Sequence, residues 1–359
     1  MNFIKSTLEF IVLVLNLLVG IGLLVAAYGH YISPAHFPIL SIAGLGFSFF
    51  AVLNLAFVAF WLLIHPRFVW LPVILYLFVG DALLTYCPFS MGSSPQEGKV
   101  LKVLTYNTMG FVPEKDSKGK NVYPALEYIK QSGADIVCLQ EVPLNDKEII
   151  RQAKSVYPYI KTVSLNNGFH IQVACMSKTP ISSAKRIEVV SSGNGAALFQ
   201  VKVGDKQIPV IIAHLESNKL NGNDKEMYES LLENPKNRLI KSRSKHLLSK
   251  LADAASLRGP QAEIIAQKIQ EINSPHIIVC GDFNDIALSY SHRIIGKGLQ
   301  DTYREAGFGP GNTYHEHFML FRIDHMMVGK AYRVLKCKID KSIKASDHYP
   351  YWCELELKK

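Results

Sequence analysis

Charge is what the first quarter of this 359-residue chain lacks. Residues 1–90 hold two basic side chains, Lys5 and Arg67, and two acids, Glu9 and Asp81, so the whole net charge of +9 sits on the remainder. Cysteine is sparse too. The six, at positions 87, 138, 175, 280, 337 and 353, show no C-x-x-C spacing, which argues against a thiolate metal site. No internal repeat is visible. A composition of 48% hydrophobic and 19% charged residues excludes a disordered or fibrous protein. The mean hydropathy of +0.12 implies that part of the chain avoids water.

That part is the uncharged quarter. Phe10–Ala27 and Phe37–Ile64 contain no charge, and Phe68–Thr85 contains only Arg-free apolar sequence and Asp81. A helix crosses a hydrocarbon core with about 20 mostly apolar residues, so residues 1–86 are expected to form a three-span transmembrane anchor. A signal peptide is the competing reading of the first run, but two more apolar runs follow at once. Asn16 and Asn54 are expected to bond between helices. Lys5 and Arg67 flank the first and third runs, whereas Tyr28–His36 has no Lys or Arg. The positive-inside rule then places the N-terminus in the cytoplasm and everything after residue 86 outside. The expectation is a multi-pass cell (inner) membrane protein with an extracytoplasmic catalytic domain.

Residues 87–98, rich in Pro, Gly and Ser, read as a linker. Beyond them β-like runs recur at Val100–Tyr106, Ile136–Leu139, Ile171–Met176, Ala196–Val203, Ile208–His214, Ile277–Cys280, Ile323–Val328, Tyr332–Ile339 and Tyr351–Leu357. Several are continuously apolar, as in strands buried on both faces. A helix is expected at Tyr123–Ser132, ending at Gly133. The pattern predicts an α/β sandwich of two sheets with helices outside, over residues 99–359. A helical, basic insertion at about 217–275 interrupts it, with breaks expected near Pro235 and near Gly259-Pro260. Its Arg238 and Arg243 are candidates for binding phosphate or anionic headgroups; a solvated basic face is the plainer reading. Cys138, Cys175 and Cys280 read as buried thiols. Cys337 and Cys353 face each other if the chain turns near residue 345. An outward domain would permit a disulfide there, although free thiols are favoured.

Chemistry-bearing residues gather at strand ends. Asp282 and Asn284 stand two apart in Gly281-Asp282-Phe283-Asn284-Asp285, after a buried strand, where a carboxylate can orient or deprotonate water and an amide can donate to an oxyanion. Glu141 follows Leu139-Gln140, Asn107 follows Thr105-Tyr106, and His214 ends another apolar strand. Arg322-Ile323-Asp324-His325 and Ser346-Asp347-His348-Tyr349-Pro350 complete the set. Oxygen donors without thiolates suit Mg²⁺ or Mn²⁺.

The ordered motifs TYN, LQEV, AHLESN, GDFND, RIDH and SDHYP resemble the endonuclease/exonuclease/phosphatase superfamily over about residues 99–357. Three N-terminal spans with an outward domain are similar to a membrane-anchored bacterial subgroup of it. The resemblance implies a four-layered α/β sandwich of two mixed β-sheets. It implies Glu141 as principal metal ligand, with Asn107 and Asp347 supporting it. Asp282 would activate water, Asn284 and His214 would bind the scissile phosphoryl oxygens, and His348 would face the phosphate, held by Asp324. Asn218, four residues after His214, is added to the expected substrate contacts. His170, His276, His292, His315, His317 and His325 are expected to be surface or core residues; His325 stands where many members carry an aromatic.

Three function classes follow. The first is a membrane-anchored, metal-dependent phosphoesterase acting on a lipid-linked phosphate or pyrophosphate or on a phospholipid, with membrane lipids as neighbours. The second is an extracytoplasmic nuclease, which the net charge suits, although no aromatic platform for single strands is evident. The third is a non-catalytic membrane binding module. No obligate protein partner is evident.

Overall fold

The computed structural model describes residues 2–143, 147–165, 172–191, 193–233, 240–317 and 319–358. Its apolar quarter forms α1 (Asn2–Tyr28), the single turn α2 (Pro38–Ser41), α3 (Phe47–Ile64), α4 (Trp70–Phe78) and α5 (Gly80–Tyr86). Glu9–Tyr31 and Ala43–Ile64 are long and apolar enough to cross a membrane. The third run is not one straight helix: α4 and α5 meet at 62°. Beyond the bend, Arg304 of the following domain donates to Asp81 and Thr85 of α5, at 2.6 and 3.1 Å. The two intrahelical asparagines do bond across helices. Trp61 donates to Asn16 at 3.0 Å, and Asn54 to the Pro72 carbonyl at 2.8 Å.

The rest of the chain is built on two six-stranded mixed sheets. The first has the order β13 (Tyr332–Ile339), β14 (Tyr351–Leu357), β1 (Lys99–Asn107), β4 (Ile136–Gln140), β6 (Gln172–Ser177) and β5 (Tyr159–Ser164). In the second, the order is β11 (Gln300–Asp301), β12 (Asp324–Val328), β10 (Ile278–Asp282), β9 (Lys206–His214), β8 (Gly195–Val203) and β7 (Ile181–Ile187). A small hairpin, β2 (Glu114–Lys115) and β3 (Asn121–Val122), lies apart. The sheets face each other across Val103, Ile136 and Val173 on one side and Phe199, Ile212 and Ile278 on the other. Continuous burial along β4 and β10 follows from this, since their outer faces are covered as well. Helices α6 (Pro124–Gln131) and α7 (Lys147–Ala153) cover the first sheet. The second is covered by α9 (Ile240–Ile272) and α10 (Tyr290–Ile295). The result is the expected four-layered α/β sandwich, preceded by apolar helices. The remaining helices are α8 (Gly222–Glu233) and α11 (Thr302–Ala306).

Within the insertion, the expected break near Gly259-Pro260 does not occur: α9 runs through Pro260 as one 33-residue helix. Burial against the sheet outweighs one missing N–H, and Gly259 leaves room for Pro34, whose Cγ would lie 2.7 Å from an added Cβ. Pro235 and Arg238 lie outside the described residues, as does His170. Residues 87–98 are fastened along the sandwich. Ser90 and Ser93 donate to the Gly307 and Leu335 carbonyls, and Gln96 and Gly98 to the Glu356 carboxylate. Cys337 and Cys353 stand opposite each other in the β13–β14 register, both as free thiols.

Gly281, next to the Asp282 strand end, has φ +136°, and a Cβ there would sit 2.0 Å from the Ala213 carbonyl oxygen. Gly281→Ala is expected to cost at least about 2 kcal/mol, read as a lower midpoint in chemical denaturation.

Candidate active site

Strand direction explains why distant motifs meet. Parallel β1 and β4 put Asn107 opposite Gln140, with Glu141 next. In the second sheet, parallel β9 and β10 align His214 with Asp282, and antiparallel β12 begins beside them with Asp324 opposite Asp282. His348 precedes β14, at the same edge. Asn107 joins the two sheets: its amide donates to Glu141 Oε1 at 3.0 Å and to Asp282 Oδ2 at 3.1 Å.

Around Asp282, which is 1% exposed, the imidazoles close in. His214 Nε2 lies 3.6 Å from Glu141 Oε1 and 3.7 Å from Asp282 Oδ2. His348 Nε2 lies 3.7 Å from the same Asp282 oxygen, while its Nδ1 is hydrogen-bonded to Asp324 Oδ2 at 2.7 Å. The Tyr314 ring packs edge-on against His348. Burial works against a charged His348, but the Asp324 and Asp282 carboxylates overcome it and hold the imidazole up to about 10, protonated at neutral pH. Burial pushes Asp282 upward, opposed by His348 and His214. Asp347 is also raised, first by burial, with Glu141 and Glu316 adding like charge against His348.

Two of these residues occupy conformations that side chains avoid. Glu141 has φ 55° and Asn284 φ 50°. Each is held by its surroundings. The Glu141 carbonyl accepts from the Gly110 N–H at 2.9 Å, and the Asn284 N–H donates to Asp282 Oδ1 at 2.8 Å. The Asn284 side-chain amide donates to the Leu215 carbonyl.

Glu141, His214, Asn218, Asp282, Asn284, Asp347 and His348 line one cavity of about 520 Å³. Asn107 and Asp324 support it from behind, both buried. Arg243 is elsewhere: it donates to Ser230 Oγ at 3.0 Å and is not part of the wall. The apolar side of α9, not its basic side, faces the cavity. His276, His292, His315, His317 and His325 are not in the lining.

Three contributors are not among the residues that the sequence motifs single out. Arg258, buried in α9, donates to Asn218 Oδ1 at 2.8 Å and to Asp285 Oδ2 at 3.2 Å, so it sets both side chains. Thr313 Oγ1 accepts from the Ile323 and Asp324 N–H groups. Lys225 reaches the cavity and pairs with Glu316 at 2.8 Å. An arginine inside an otherwise Ala-rich stretch was the one available hint.

A divalent cation fits this donor set. Among the described residues, Asp282, Asp324 and His348 bring one ligand-type atom each within 4.8 Å of one another; with His348 carrying its proton, the two carboxylates are the donors of that group open to a cation. Asp324 Oδ1 is buried without a hydrogen-bond partner. Glu141 and Asp347 add carboxylates whose mutual repulsion a hard cation would relieve.

A model of the Endonuclease/Exonuclease/phosphatase family matches residues 104–348. The chain belongs to the endonuclease/exonuclease/phosphatase family. A second model, described only as a domain of unknown function (DUF8431), matches residues 9–86. No curated protein matches the chain. Solved structures that resemble this family member include an endonuclease/exonuclease/phosphatase from Beutenbergia cavernae, 16% identical over 72% of each chain with a TM-score of 0.49. A Bacteroides thetaiotaomicron protein of the family is 16% identical over 74% of this chain and 100% of its own, TM-score 0.49. Sphingomyelinase C from Streptomyces griseocarneus is 16% identical over 71% and 99%, TM-score 0.49.

Proposed function

We propose that this chain is a membrane-anchored, divalent-metal-dependent phosphoesterase that hydrolyses a P–O bond of a lipid-linked phosphate or pyrophosphate or of a phospholipid. The observation that carries it is the convergence of Asp282, His214 and His348 from separate motifs on one cavity that Glu141 and Asp347 also line. Asp282 takes the proton of the attacking water, steadied by N–H groups of Asn107 and Asn284. The side chains of His214, Asn284 and Asn218 hold phosphoryl oxygens. His348, charged and fixed through Nδ1 by Asp324, turns Nε2–H toward the charge that develops on phosphorus-bound oxygen. Glu141, with Asn107 and Asp347, would hold Mg²⁺ or Mn²⁺, which when bound draws charge from the phosphoryl group and lowers the barrier to water attack. The lipid assignment is supported by the apolar helices that precede the domain. An extracytoplasmic location is the matching proposal, from the placement of Lys5 and Arg67.

The full-length protein, reconstituted with Mg²⁺, should release phosphate or headgroup from members of a lipid panel. Rapid DNA cleavage without lipid turnover would favour the nuclease reading that the net +9 suggests. A reporter-fusion map showing the C-terminal domain in the cytoplasm would overturn the topology.

Asp324→Asn removes a negative neighbour of His348, so that imidazole loses its proton at lower pH. Turnover is expected to fall by about 10²-fold, and the alkaline limb of the pH–rate profile should move toward neutral. A profile displaced the other way contradicts the assigned role.

A further inference from the structure

The cavity is much larger than a phosphoryl group requires, and away from the catalytic end its wall is apolar. Leu247, Leu248 and Leu251 of α9 form one side, and Phe321 and Ile323 another. Ile42 and Leu45, from the segment between α1 and α3, complete it. Leu248 is 45% exposed, so its place there is not that of a core residue.

The anchor's wall is fixed in position rather than laid loosely on the domain. Ile42 packs with Ala252 and Ala255 of α9. Gly44 fits so closely that a Cβ would lie 2.3 Å from the Leu288 carbonyl oxygen. Arg293 donates to the His30 carbonyl at 2.9 Å, and Ser256 to that of Pro34 at 3.3 Å. A cleft with carboxylates, imidazoles and Lys225 at one end and leucines at the other matches a molecule with the same division.

We infer that the apolar half of this cavity seats the hydrocarbon chain next to the phosphate of an amphiphilic substrate, and that the segment between α1 and α3 is part of the substrate site as well as a tether. The inference rests on the phosphoesterase reading and adds to it the wall that selects the chain. Leu248 and Leu45 are the specificity residues. The chain enters along α9, and the phosphate lies against Asp282 and His348.

The test uses the full-length protein in nanodiscs with Mg²⁺ and a series of n-alkyl phosphonates from methyl to dodecyl, with affinities measured by isothermal titration calorimetry. Affinity should rise by about three- to fourfold per added CH₂ until the wall is covered, giving dodecyl an advantage over methyl of at least about 100-fold. Leu248→Asp should reduce that dodecyl-to-methyl ratio at least tenfold, and the milder Leu45→Ser should reduce it as well. Leu257→Asp, on an exposed part of α9 outside the cavity, serves as the control for partition into the disc. A ratio near one in the wild type, or an equal loss in Leu257→Asp, overturns the inference while methylphosphonate binding upholds the phosphate site. Absence of binding by every phosphonate, methyl included, overturns the phosphoesterase reading and this inference together.

Discussion

Asp282→Asn is expected to lower turnover by about 10³-fold or more, measured as phosphate release under saturating substrate and Mg²⁺. The substitution keeps the shape of the side chain and leaves an oxygen to accept from Asn284 or Asn107, so the secondary structure and thermal midpoint should change little. What it removes is the one group at the end of β10 able to take a proton from water. Burial raises Asp282 above the ordinary carboxylate range, with His348 and His214 opposing, and a carboxylate raised toward neutrality is a better base. Retention of more than a tenth of wild-type turnover would remove Asp282 from the mechanism.

Chelation should have a comparable effect. Dialysis against EDTA is expected to abolish hydrolysis, and Mg²⁺ or Mn²⁺ should restore it, because Glu141 and Asp347 line the same cavity and repel each other, a repulsion that a bound cation would relieve. Glu141→Gln should raise the Mg²⁺ concentration for half-maximal activity by at least about tenfold, read from metal titrations of the rate. Full activity in EDTA would rule out the assigned cofactor. Undiminished metal affinity in Glu141→Gln would shift the site to the Asp282 and Asp324 carboxylates.

Much of this arrangement was legible in the sequence because the buried strands carry their own signal. The runs ending at Asn107, His214 and Asp282 are apolar on both faces, and chemistry-bearing residues follow each without a gap. Two of the edge strands were harder to read. β5 (Tyr-Ile-Lys-Thr-Val-Ser) and β7 (Ile-Ser-Ser-Ala-Lys-Arg-Ile) each have half-exposed positions and no continuous apolar run, so neither stood out. The insertion misled in another way. Its lysines and arginines drew attention to a headgroup surface, yet Lys250 is occupied with Asp224 at 2.5 Å and Arg243 with Ser230. The leucines between them reach the cavity. Spacing shows that a helix has two faces; which face meets the site depends on tertiary packing, and Arg258 became visible as an organiser only there.

The third apolar run, bent at Gly80 and bonded to Arg304 and Arg322, has a mechanical consequence. With Gln96 and Gly98 also clasped by Glu356, the hydrolase has no slack tether on which to swing. With α1 and α3 seated in a bilayer, the catalytic cleft would stand at one set elevation and tilt, and the enzyme would work as a gauge that meets only phosphates presented at that depth.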